Sequence, residues 1–368
     1  MQKLTVTLVG IGNAGCAFAG DLKLKGHTVK LLKTTTLAHM DTFEKLLETQ
    51  GISVIKKDHE YFVKPDLITT DYERALKDTD IIIITTRTVA HEELAPKICP
   101  YIKDGQVILF EPGNGGSLIF ANHTRNREPV YAEATNIPLD SRIIAPGKVA
   151  IRYEKARNPI GFFPAKEKDY GLEILRNLYG NFTPLKHVVE AALHNPNLII
   201  HPIGAIMSVV RIETEPNKFW MYKEAFTPSV WNIVEKLDSE KMRILEKMDL
   251  EPLSYLEIAR YRNVEDLTIN PKQIFDSWRF SASPEGPYDT STRYITEDVP
   301  ICLGLMHSLG KKVGVKTEIC DALITLASAL NRTDYWSQAR TLKTLGVEDL
   351  TLPELNSYLL TGKKRTFK

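Results

Sequence analysis

Leu4-Thr5-Val6-Thr7-Leu8-Val9-Gly10-Ile11-Gly12-Asn13-Ala14-Gly15 stands near the start of the 368-residue chain and decides its fold class. The first six residues form a short apolar run rich in β-branched side chains, as in a strand buried on both faces. Small and apolar residues recur at helical spacing over 16–25, Gly26-His27 ends that segment, and Thr28 to Leu32 is a second strand. Strand, GxGxxG, helix and strand within about 30 residues is the dinucleotide-binding fingerprint. Its glycines have separate tasks: Gly10 permits the tight turn, Gly12 lets backbone approach a pyrophosphate, and Gly15 lets helix pack on strand. The backbone N–H groups of Asn13, Ala14 and Gly15 then open a helix whose N-terminus suits phosphate. The competing reading is a glycine-rich turn with no ligand.

The end of the second strand bears on which cofactor binds. NAD sites usually place an acidic residue there for the ribose hydroxyls. Here the stretch is Lys33-Thr34-Thr35-Thr36, and the first acid is Asp41. A lysine with threonine hydroxyls suits a 2′-phosphate, which favours NADP(H) over NAD(H). Lys33 also reads as a solvated loop lysine.

The alternation continues outward. Residues 71–78, 90–99, 117–127 and 167–179 read as helices; 80–86, 106–110 and 130–135 read as strands; 148–163 reads as two strands about a polar turn. Strand ends in an open parallel sheet line a ligand crevice. Thr85, Thr86 and Asn114, within Pro112-Gly113-Asn114-Gly115-Gly116, are therefore candidates for the nicotinamide side. The glycines of that loop serve either close ligand approach or a tight turn.

From about His187 the pattern changes. Strand-like runs stop, and 186–214, 228–249, 252–262 and 317–331 carry a 3.6-residue apolar period. The expected architecture is an α/β Rossmann-type parallel-sheet domain at 1–185 followed by an all-helical domain at 186–368, with a cleft between them of the kind that holds small molecules. Two helical-half segments are chemically dense: His194-Asn195-Pro196-Asn197-Leu198-Ile199-Ile200-His201-Pro202-Ile203-Gly204, and Arg293-Tyr294-Ile295-Thr296-Glu297-Asp298-Val299-Pro300. Asn197 and His201 share a helical face. His201 alone reads equally as a buried core histidine, and Glu297-Asp298 as helix capping.

Composition narrows the function classes. With 47 Lys plus Arg against 46 Asp plus Glu, the net charge is +1, which argues against a nucleic-acid binder. No low-charge apolar run approaches 18 residues, as a membrane span would require. The N-terminus lacks a signal-peptide pattern. Cys16, Cys99, Cys302 and Cys320 form no CxxC pair, which argues for reduced thiols, a cytoplasmic location and no metal site.

Taken together, Gly10 to Gly15, Pro112 to Gly116, Glu133-Ala134-Thr135-Asn136-Ile137-Pro138, Asn197 to Gly204, Arg293 to Pro300 and Leu309-Gly310 resemble the opine dehydrogenase family, the octopine and nopaline dehydrogenase group. The resemblance implies reductive condensation of a 2-oxo acid, often pyruvate, with the amino group of an amino acid, NAD(P)H reducing the imine. It implies His201 as catalytic acid/base paired with Asp298, and Arg293 as substrate grip, with Asn197 beside them. The chain departs from the family in placing Ile203 between the His-Pro pair and Gly204. Small-molecule substrates are the expected partners; a homodimer and a monomer both fit.

The alternative is a 2-hydroxy acid or hydroxy-phosphate dehydrogenase of the ketopantoate reductase or glycerol-3-phosphate dehydrogenase type. These place a catalytic lysine on the first helix of the second domain, and no lysine lies between Lys186 and Lys218. A cofactor-binding sensor without turnover is a third reading, against which the His201, Arg293 and Asp298 set speaks.

Overall fold

The computed structural model describes residues 2–35, 38–124, 126–215 and 217–364. Thr36, named above, lies outside them. The chain divides into two compact units: Met1–Ala191 with Tyr358–Lys363, and Ala192–Ser357 with Lys364–Lys368.

The strands of the first unit are β1 (Thr5–Val9), β2 (Thr28–Leu32), β3 (Ile52–Lys56), β4 (His59–Val63), β5 (Leu67–Thr69), β6 (Ile81–Ile84), β7 (Val107–Phe110), β8 (Val130–Ala134), β9 (Leu139–Ala145), β10 (Lys148–Glu154), β11 (Asn158–Phe163) and β12 (Phe182–Pro184). Eight of them make one sheet in the order β12-β11-β8-β7-β6-β1-β2-β5. Its pairings are parallel except β11 on β8. The crossover point, where β1 lies between β2 and β6, is where a doubly wound sheet opens its crevice. β6 and β7 are buried along their whole length, which explains their unbroken apolar sequence.

The pattern of the sequence did not disclose a second sheet, ordered β4-β3-β10-β9. β3 and β4 form a hairpin whose two turn residues, Lys57 and Asp58, both have positive φ, at 50° and 62°. That is the geometry of a tight hairpin turn, but neither residue belongs to the Asn-Gly type that signals one. The two strands expected at 148–163 exist, yet β10 joins the small sheet and β11 the large one.

The small sheet explains the helix after the glycine turn. Asn13–Leu24 packs on β1 and β2 of the large sheet and on β3, β9 and β10 of the small one. Everything from Gly15 to Leu22 is consequently buried. A helix covered on two sides shows no polar face, hence its run of Gly and Ala. A Cβ at Gly15 would lie 2.0 Å from the Gly10 carbonyl oxygen. Asp21, fully buried on this helix, is held by Lys56 of β3, by Lys25 at 3.1 Å and by the Tyr179 hydroxyl at 2.9 Å. Burial pushes its carboxyl up, but the two lysines prevail and hold it below the usual value.

The second unit is built from helices, chief among them Asn197–Met207, Pro228–Lys247, Tyr255–Asn263, Pro271–Ser281, Gly304–Val313 and Glu318–Asn331. The periodic stretch 186–214 is three helices, Val188–Leu193, Asn197–Met207 and Val209–Thr214, because Pro196 and Ser208 interrupt it. Local capping fixes several starts: Ser254 and Glu257 form a reciprocal capping box, and Asn270 accepts from the amides of Lys272 and Gln273. Among the described residues no helix is long and apolar enough to cross a membrane.

Gly15→Ala is expected to lower stability by about 1–3 kcal/mol, the usual cost of overpacking. A urea denaturation series would show it as a lower midpoint. An unchanged midpoint would mean that the helix can slide on the turn.

Candidate active site

The first unit carries a nucleotide cradle. Gly10 has φ +112°, a conformation that side chains resist, and a Cβ there would meet Thr85 Oγ1 at 2.9 Å. Thr85 at the end of β6 donates its hydroxyl to the Val9 carbonyl at 3.0 Å, tying the glycine turn to the next strand. Gly12 caps the Asn13–Leu24 helix without a side-chain hydrogen bond, so the first amides stay available for an anion. Thr86 Oγ1 is buried and has no hydrogen-bond partner among the described residues. An unpaired buried hydroxyl, an uncapped helix start and a turn closed to side chains together fit a dinucleotide.

Several expected contacts take another form. The Asn13 side chain accepts from the Ile143 amide at 2.7 Å, so it anchors β9, while Ala14 is half-buried beside it. Lys33 is buried, and its ammonium donates to the carbonyls of Thr35 and, at 2.6 Å, Ala38. It braces its own loop, with Thr34 half-buried next to it. Asn114 is buried with φ +50° in the loop after β7. That loop is shaped by Glu133 of β8, whose carboxylate accepts from the Gly115 amide at 2.9 Å and the Ser117 amide at 2.8 Å. A Cβ at Gly113 would lie 2.2 Å from Glu133 Cδ, so this glycine answers internal packing.

The second unit brings His201 and Asp298, 97 residues apart, into one buried pair. His201 Nδ1 lies 2.6 Å from Asp298 Oδ2, and its Nε2 lies 2.8 Å from the Tyr222 hydroxyl. Tyr294 stacks on the imidazole at 3.8 Å between centroids, and Trp278 meets the Tyr222 ring edge-on at 4.7 Å. Asp298 directly precedes a π-helical turn, Val299–Leu303, and caps nothing with its side chain. The capping reading of this residue therefore falls to the pairing with His201. Tyr222 arrives beside the ring because Gly204 admits the Met221–Glu224 helix: a Cβ at 204 would lie 2.7 Å from Met221 Sδ.

Burial lowers the His201 pKa from its ordinary 6.5; the Asp298 carboxylate opposes this, and the Arg293 charge adds to it. Burial raises Asp298, against His201 and Arg293. The proton of the pair is thus set by burial, by the partner charge and by Arg293 together. Arg293 is exposed and begins the Arg293–Thr296 helical turn, its carbonyl accepting from the Glu297 amide at 3.0 Å and its charge lying within the field of Asp298 and Glu297. Asn197, half-buried, sits one turn before His201. His194 stays outside the cluster: burial and the Lys241 charge drive it down to about 3, against a backbone hydrogen bond at Glu251. Tyr294 lies within the Arg293–Pro300 segment but was assigned no role there, and Tyr222 carries no motif of its own; aromatic residues at such spacing usually mark core packing.

A glycine-turn nucleotide cradle and a helical unit holding an imidazole–carboxylate pair define a nicotinamide-dependent oxidoreductase. The comparisons narrow the class. Residues 184–331 match the model described as "NAD/NADP octopine/nopaline dehydrogenase, alpha-helical domain", and residues 6–137 match "Ketopantoate reductase PanE/ApbA". The opine dehydrogenase of Arthrobacter sp. (strain 1C) is 30% identical over 97% of this chain and 99% of its own. An octopine dehydrogenase solved with NADH and L-arginine superposes with TM-score 0.76 at 21% identity, covering 100% of both chains. A yersinopine dehydrogenase solved with NADP+ gives TM-score 0.71 at 15% identity, over 97% of this chain and 98% of its own. The chain belongs to the opine dehydrogenase family, NAD(P)-dependent oxidoreductases acting on CH–NH bonds. The ketopantoate reductase family model matches only the nucleotide-binding stretch, whereas the octopine/nopaline dehydrogenase model matches the helical one.

Replacing Asp298 with Asn removes the charge that holds the His201 pKa up. The ring is then expected to titrate at lower pH than in the parent, read from its ¹⁵N or ¹H resonances. A higher value would show that Asp298 is not the partner.

Proposed function

We propose that this chain condenses a 2-oxo acid, pyruvate in the simplest case, with the amino group of an amino acid and reduces the imine, using His201 as acid/base, Asp298 as its orienting partner and Arg293 as carboxylate anchor. The buried 2.6 Å contact between His201 Nδ1 and Asp298 Oδ2 carries this reading. A carboxylate at Nδ1 selects the tautomer with the proton on that nitrogen and leaves Nε2 to exchange protons. An imine becomes a hydride acceptor when its nitrogen is protonated, and an imidazole can supply that proton near neutrality. The planar guanidinium of Arg293, exposed beside the His201–Asp298 pair, matches a substrate carboxylate bidentately. Asn197 supplies an amide on the His201 face of its helix for a second polar contact.

The Gly10–Gly15 turn, the first amides of the Asn13–Leu24 helix, Thr85, Thr86 and Asn114 would hold the dinucleotide, which supplies the hydride when bound. NADP(H) is the cofactor favoured here. No carboxylate ends β2 to take the ribose hydroxyls, and Lys33 with Thr34 and Thr35 shapes the loop at that point. Four buried, unpaired cysteines support a reducing, cytoplasmic setting.

The decisive experiment offers protein, NADPH or NADH, pyruvate and a panel of amino acids, and seeks the N-(1-carboxyethyl) amino acid by mass. Cofactor oxidation by oxo acid with no amine present would instead indicate a hydroxy-acid dehydrogenase. A higher kcat/KM with NADH than with NADPH would reverse the cofactor preference. His201→Ala is expected to slow turnover by about 10²–10⁴, the span of general acid–base catalysis. Arg293→Ala should raise KM for the oxo acid by roughly 10- to 100-fold, as the loss of a charge-assisted pair predicts. In the reductive direction kcat/KM should fall as pH rises through the lowered His201 pKa, since the protonated ring is the donor; the oxidative direction should show the opposite slope.

A further inference from the structure

The reading just given sends protons through His201 Nε2, but that nitrogen already has a partner. The Tyr222 hydroxyl stands 2.8 Å away, and the hydroxyl and the ring are both buried. With Asp298 accepting from Nδ1–H, the neutral ring offers Nε2 as an acceptor, so Tyr222 donates its O–H to it. In the protonated ring Nε2–H donates to the tyrosine oxygen, and the phenolic hydrogen turns outward. The two protonation states of His201 thus aim the same hydroxyl hydrogen in two directions. One face of the imidazole is covered by Tyr294 at 3.8 Å, and its Nδ1 edge is taken by Asp298. The ring of Tyr222 is itself fixed by Trp278 on one edge and by Phe226.

We propose that Tyr222 is a further catalytic residue, and that its hydroxyl is the atom that exchanges the proton with the substrate while His201 stands behind it. This rests on the opine dehydrogenase reading. In the reductive direction the adduct of oxo acid and amine must lose its hydroxyl as water. The Tyr222 O–H bond breaks as its proton passes to that hydroxyl, and the C–O bond breaks with its electron pair leaving on water. The Nε2–H bond of the imidazolium breaks as a new Tyr222 O–H bond forms. Tyr222 ends as the phenol it began as, His201 ends neutral, and the substrate is left as the iminium. One proton is consumed, as the overall condensation requires. The phenol never has to ionise, so its high ordinary pKa is no obstacle.

Tyr222→Phe keeps the ring and removes the hydroxyl. Expected are an unchanged melting temperature, unchanged cofactor affinity by NAD(P)H fluorescence, and a kcat about 10- to 100-fold lower, the low end of general acid–base effects. In mixtures of light and heavy water the parent should give a curved proton inventory, from two protons in flight, and the variant a straight one. A variant with kcat within about twofold of the parent would overturn the proposal, and so would a straight inventory in the parent. If the parent makes no opine from any pair, the functional reading fails, and the ¹⁵N resonance of His201 Nε2 still decides the contact. That resonance should move in the variant at pH above the ring's titration; a resonance that stays put overturns the role of Tyr222.

Discussion

A carboxylate and an imidazole 2.6 Å apart, each nearly sealed from water, form the constraint on which the helical unit depends. Burying either alone would carry a heavy desolvation penalty, and only the pairing offsets it. The helices must therefore bring Asn197–Met207 and the turn ending at Asp298 together and keep them there. Pro228–Lys247 and Glu318–Asn331 both pack against the histidine helix and hold it in place. What the protein gains is a proton donor whose strength is set by its surroundings. Burial and Arg293 lower the ring's pKa while Asp298 holds it up.

The first unit solves a different problem with similar economy. Its nucleotide helix is covered by two sheets, so it must be made of small residues, and the same smallness lets Gly15 touch the Gly10 carbonyl. The one charge inside that sandwich, Asp21, is matched by lysines from two elements and a tyrosine hydroxyl. The turn that faces the phosphates is thus rigid because of packing behind it, on the side away from any ligand.

Local and periodic features were legible from residues alone. Thr5 to Gly15 declares strand, turn and helix because each residue's task is met by near neighbours, and the buried run Ile81 to Ile84 declares its strand in the same way. The β3–β4 hairpin escaped because Lys57 adopts positive φ and the Lys57-Asp58 pair contains no glycine to signal the turn. The partners of Lys33, the carbonyls of Thr35 and Ala38, were not legible, because backbone groups leave no mark on composition. The buried pair spans almost a hundred residues, and no spacing rule joins His201 to Asp298; family resemblance suggested it and geometry brought it together. Tyr222 was one aromatic among several, and its distinction lies in where a hydroxyl points, which only the fold determines.

The π-helical turn after Asp298 bears on how this sequence can change length. Five residues, Val299–Leu303, occupy a wider turn that holds about one residue more than an α-helical turn would. Deleting one of them would let the segment relax to the commoner form, but each residue of an α-helix advances by about 100° around the axis. Asp298 would then rotate away relative to Gly304–Val313, whose first residue packs within 2.8 Å of Ala339 at the position a Cβ would take. Substitutions in this turn can be absorbed one side chain at a time, whereas a single-codon deletion alters the bearing of everything upstream of it. The widened turn is a place where the gene can vary its letters but not its count.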